Sequence, residues 1–93
     1  MSRLSGFNFE SAPWSPGALN TGVEFGQTIA VPGAQLGDVV ICSLSVDLKD
    51  CQMTGYVRAA DSVRIEISNL TGGQVSLGSG MIIRGKVIPM DVL

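Results

Sequence analysis

From Gly22 onward, apolar and polar side chains alternate at every second residue. Val23, Phe25, Ile29 and Val31 occupy one phase, and Glu24, Gly26, Thr28 and Ala30 the other. Successive side chains of an extended backbone point to opposite faces, so this spacing predicts a half-buried strand. Pro32-Gly33-Ala34-Gln35 breaks it. Gly37-Asp38 then opens the run Val39-Val40-Ile41-Cys42-Ser43-Leu44, apolar in both phases, which predicts a central strand covered on both sides. Asp47-Leu48-Lys49-Asp50 is a polar connection, and residues 52–59 supply a third strand in which Gly55 marks a bulge or a close approach. Ala60-Asp61 turns into Ser62–Ser68, where Val63, Ile65 and Ile67 face one way and Arg64, Glu66 and Ser68 the other. Asn69-Leu70-Thr71-Gly72-Gly73 and Gly78-Ser79-Gly80 are turns around a short strand, Gln74–Leu77, because glycine accepts positive φ at no steric cost. The last strand runs from Met81 to Ile88, with Ile83 and Val87 on one face, Arg84 and Lys86 on the other, and Gly85 interrupting the packing face. Short strands, glycine turns and no 3.6-residue period specify an all-β chain. The expected architecture is an antiparallel β-sandwich or jelly-roll-like domain over residues 22–93.

Residues 1–21 lack this period. Pro13, Pro16, Gly6, Gly17 and several serines favour extended and looped backbone, which predicts an N-terminal arm. Three of the five aromatic residues, Phe7, Phe9 and Trp14, lie in it. Exposed aromatics are costly, so the arm must pack either on its own domain or across a neighbouring subunit or scaffold. Phe7, Phe9 and Trp14 are therefore the candidate partner-contact residues.

Composition narrows the chemistry. Of 93 residues, 45% are hydrophobic and 15% are charged, against a usual charged share of about 25%; such a surface invites partner subunits. Six basic residues against eight acidic ones form no basic stripe, so nucleic-acid binding is not expected. There is no histidine, which removes the commonest general base and metal ligand. Cys42 and Cys51 are either two reduced small side chains or one bridge, and they make no disulfide framework. Asp38, Asp47, Asp50 and Asp61 all fall at turns or connections, where aspartate has a local role. Asp47 and Asp50 lack the ligand density of a calcium loop. Gly78-Ser79-Gly80 has no base beside it, and no glycine run continues into a phosphate-binding helix. Asn69-Leu70-Thr71 matches a glycosylation acceptor but reads as a turn. No catalytic, cofactor or metal residue is expected, and the chain is not expected to be an enzyme. The N-terminus lacks the apolar core of a signal peptide, and no window nears the ~18 apolar residues of a membrane span. Folding in a cytoplasm, with no membrane partner, is the expectation.

The chain resembles, over residues 28–88, a small β domain that recurs in tailed-phage virion proteins. The resemblance is carried by the Gly37-Asp38 strand opening, the strand end and turn Tyr56-Val57-Arg58-Ala59-Ala60-Asp61, the turn Asn69-Leu70-Thr71-Gly72-Gly73, and the basic last strand with Arg84 and Lys86. Gly85 and the Pro89 tail depart from the pattern. The resemblance implies a virion structural protein. A stand-alone domain of this size, without shaft or repeat, suits a capsid decoration or cement protein on the outside of the shell. Its partners would be the major capsid protein and copies of itself, as dimer or trimer. The alternative is a tail or receptor-binding module that contacts glycan through Tyr56 or Trp14.

Overall fold

A computed structural model describes residues 6–22 and 24–92. Residues 1–5 of the expected arm, Val23 of the first expected strand, and Leu93 lie outside the described residues. Among the described residues eight strands follow one another: β1 (Phe7–Glu10), β2 (Ala18–Leu19), β3 (Glu24–Ala30), β4 (Val39–Leu44), β5 (Gln52–Ala59), β6 (Ser62–Ser68), β7 (Val75–Ser76) and β8 (Ile83–Ile88). They form three antiparallel sheets, ordered β1-β8-β4, β3-β6-β5 and β2-β7. The all-β class read from the periodicity is the one observed, in a sandwich-like arrangement.

Alternation sets the inner faces. On β6, Val63, Ile65 and Ile67 are fully buried while Ser62, Arg64, Glu66 and Ser68 face outward. On β8, Ile83 and Val87 are buried between outward Arg84 and Lys86. One apolar cluster joins Phe7, Phe9, Ile29, Val57, Val63, Ile65, Ile83 and Val87 from the two three-stranded sheets. A second gathers Leu19, Cys51, Ile67, Leu77 and Met81, and Trp14, Leu44 and Met53 pack against both. Two clusters in series give a domain measuring 43 × 22 × 19 Å. Gly55 marks a close approach of the facing sheets: a β-carbon there would lie 2.8 Å from both Ile65 Cδ1 and Val40 Cγ1. The bulge of β5 falls later, between Val57 and Ala59.

Two expectations are corrected. The run 39–44 is an edge strand, because among the described residues β4 pairs with β8 alone. Val40, Cys42 and Leu44 turn inward, half-buried, while Val39, Ile41 and Ser43 stand exposed. An apolar outer phase cannot tell, from spacing, whether anything covers it. Nor does the texture change at residue 21 mark a boundary in the fold. β1 pairs with β8 in the register Phe7↔Val87 and Phe9↔Gly85, β2 pairs with β7, and Trp14 bridges Met81. The described part of the arm completes the sheets of its own domain. Gly85 is the reason for much of this: the space a side chain would take there is occupied by the Phe9 ring, whose Cε1 would lie 2.7 Å from its β-carbon.

Asn69 ties the second cluster together. It is fully buried, and its Nδ2 donates to the carbonyls of Leu19 (2.7 Å) and Gly73 (2.8 Å). Its Oδ1 accepts from Thr71 N–H (3.0 Å) and Thr71 Oγ1 (2.7 Å). The amide thus closes its own turn and secures β2, and the apparent glycosylation acceptor is inaccessible in the fold. After β8, buried Pro89 leads into a short 3₁₀ helix, Met90–Val92, so the C-terminal segment adds no strand.

Replacing Phe9 by Ala empties the space over Gly85 and should lower unfolding free energy by about 3 kcal/mol in urea titration. Asn69→Ala strands buried carbonyl and N–H groups and should cost about 2 kcal/mol in the same measurement.

Candidate interaction surface

The aromatic residues expected to meet a partner lie within the domain. Phe7 and Phe9 project together from β1 into the larger cluster, at 8% and 9% exposure. Both rings fill the core of their own domain, the first of the two placements open to the arm. Trp14 is half-buried where the two clusters meet, the most exposed of the three.

The aspartates serve the connections. Asp38 is buried, and its carboxylate accepts the N–H groups of Gln35 (3.0 Å) and Met90 (3.1 Å), tying the entry of β4 to the C-terminal turn. Asp61, at φ 63°, accepts Gly33 N–H at 2.8 Å, and Asp47 accepts Lys49 N–H at 2.9 Å. Among the described residues no three of His, Cys, Asp and Glu gather as metal ligands. Gly80 N–H donates to Ser15 Oγ (2.9 Å), so the turn around Ser79 is held by the preceding arm. Both cysteines are unbridged, and they pack against different clusters. Burial pushes the Cys42 thiol above its ordinary value. Burial does the same to Cys51, where the Asp50 carboxylate adds to the shift by opposing a second negative charge.

The outer faces of the two larger sheets differ. On β3-β6-β5, the Arg64 guanidinium lies over Gly26, donates to Thr28 Oγ1 at 3.3 Å, and stands 3.6 Å from Glu66. Tyr56 faces Arg64 across the ladder and is 43% exposed, so it is a surface residue. On β1-β8-β4, Arg84 and Glu10 pair at 3.1 Å beside a shallow depression of about 450 Å³. Such an exposed pair contributes at most about 1 kcal/mol. On the β4 side, Val39 and Ile41 stand out beside Ser43 and Lys86. Val39 lies opposite Ile88, and Ile41 is 57% exposed above a smaller depression shared with Cys42, Ser43, Arg84, Gly85 and Lys86. At the same end, Leu36 (66%) and Met90 (58%) are exposed, the Met90 sulfur lying against Gly37.

Leu36, Val39, Ile41 and Met90 thus form the candidate surface, on residues that sequence reading did not select. Its sequence signal was the doubly apolar run 39–44, which carried the wrong meaning. No protein-family model matches the chain, and neither curated proteins nor solved structures give a match. Among the described residues no helix is long and apolar enough to cross a membrane.

Thiol alkylation checks the local burial. Because only the thiolate reacts and both thiols titrate high, each cysteine should react more slowly at mildly alkaline pH than an unstructured one. Mass spectrometry of the folded protein should show Cys42 modified before Cys51, with both rates rising as pH increases.

Proposed function

We propose that this chain is a phage virion structural protein: a decoration or cement protein that binds the outside of the capsid and bridges shell subunits. The observation that carries this reading is the apolar surface at Leu36, Val39, Ile41 and Met90. It belongs to a domain whose other large apolar side chains mostly fill its own core. The resemblance over residues 28–88 supports it, as does a surface poor in charge, which lowers the desolvation cost of contact. The contact then falls on the outer face of β4 and the C-terminal turn, rather than on Phe7 and Phe9. In mechanism, copies at symmetry-related positions each make a modest contact, and the number of contacts resists pressure from packaged DNA. The partners are the shell protein and copies of this chain, as dimer or trimer; no cofactor and no catalysis are involved. The protein folds in the host cytoplasm and resides on the virion exterior.

Tyr56 favours a second reading. An exposed aromatic ring beside Thr54, Arg58 and Arg64 on a sheet face is a platform on which a sugar can stack. In that case the chain is a glycan-contacting module of the tail.

Quantitative peptide mass spectrometry of purified virions decides between them. A copy number at a simple fraction of the shell protein supports decoration, a handful of copies supports the tail reading, and absence from virions discards both. Leu36→Glu should leave the fold intact and weaken capsid attachment at least about tenfold; unchanged attachment removes Leu36 from the contact.

A further inference from the structure

The long margin of β4 is open. Ser45 N–H donates to Ile82 O at 2.9 Å, and antiparallel alternation then assigns the ladder bonds to Ser43, Ile41 and Val39. The backbone N–H and C=O groups of Val40, Cys42 and Leu44 therefore point away from β8, toward a margin where no described strand pairs with them.

The other open edges are protected. β1 is four residues long and carries Glu10, with Pro13 just beyond. β3 carries Glu24, and β5 carries Arg58 and a bulge between Val57 and Ala59. Charge, proline, shortness and bulges are the usual devices that keep a sheet edge from pairing with another chain. β4 has none of them: residues 39–46 contain no charged side chain, no proline and no glycine, and its pairing with β8 is regular over all six residues.

We propose that β4 pairs antiparallel with β4 of a second copy about a two-fold axis through Cys42. That register sets Val40 opposite the partner's Leu44 and Cys42 opposite the partner's Cys42. It satisfies every open N–H and C=O of the three residues, because every second directly opposed pair of an antiparallel ladder exchanges both bonds. A two-fold centred elsewhere leaves at least one of these residues without a counterpart inside the strand. On the outer face, Ile41 lies beside the partner's Ser43, and the two Ile41 side chains meet diagonally. The strand is uncharged, so self-pairing brings no like charges opposite one another within it. The two three-stranded sheets become one of six strands, and the two apolar patches become one continuous surface. A six-residue edge is short beside the roughly 20–30 residues a side of a standard interface, so the dimer should be weak and concentration-dependent. The pairing rests on the self-association part of the proposed function and not on the capsid as partner.

Sedimentation equilibrium of the purified chain, together with amide hydrogen exchange, tests this without any virion. The expected result is a monomer–dimer equilibrium below about 1 mM. Exchange at Val40, Cys42 and Leu44 should slow as concentration rises, with no such slowing at β1, β3 or β5. Ile41→Glu, on the exposed face opposite Lys86 of β8, sets two glutamates diagonally across the axis and should weaken dimerisation at least about tenfold at unchanged melting temperature. Leu36→Glu, off the edge, should leave dimerisation unaltered, which separates this pairing from the shell contact. A monomer throughout overturns the proposal, as does an oligomer whose protected amides lie on another edge or one that Ile41→Glu does not weaken.

Discussion

The structure depends on closing a gap in its last strand. β8 is the middle strand of its sheet, with β1 on one side and β4 on the other, yet it carries Gly85 at an inward position between Ile83 and Val87. A missing side chain in a packed layer leaves a void whose lining loses its contacts. Phe9, opposite Gly85 on β1, supplies the missing volume from a neighbouring strand. The two ends of the chain are thereby locked to each other. β1 is held by an aromatic ring seated on glycine, and β8 acquires a continuous inner face from a residue more than seventy positions earlier in sequence.

Once β1 and β8 are joined, the remaining chain is arranged around fixed margins. The segment from Ser11 to Leu19 must run along the second cluster to reach β3. It is retained there by the Trp14–Met81 bridge, by the Ser15 hydroxyl under Gly80, and by Asn69 holding the Leu19 carbonyl. A buried amide with all its bonding capacity engaged is both stabilising and directional, so Asn69 fixes where β2 lies as well as closing the turn before β7. The same economy of short polar side chains recurs at Asp38 and Asp61, each of which links two loops through its carboxylate.

These arrangements decide what is left for function. With Phe7 and Phe9 inside and Arg64 occupied on the outer face of the second sheet, exposed apolar side chains remain on β4 and the segments flanking it, at the C-terminal turn, and singly at Tyr56 and Leu70. Contact chemistry on β4 and at the C-terminal turn is dispersive and backbone-directed.

Much of the fold was legible in the sequence, because side-chain direction in a strand is a local property: Val63, Ile65 and Ile67 alternate inward wherever β6 is placed, and glycine turns delimit strands without reference to their partners. The aspartates at turns and the need to cover the aromatic arm were legible for the same reason. What covers a given face is a property of the assembled sheets. Val39-Val40-Ile41 reads the same in a central strand as in an edge strand with one face uncovered, and Phe9 reads the same whether it seats on a neighbour or on Gly85. By itself the sequence determined an all-β chain, its strands and its inward phases. Only the tertiary structure decided that the arm closes its own core and that β4 lies at the edge, because both depend on pairing between segments distant along the chain, which no local spacing encodes.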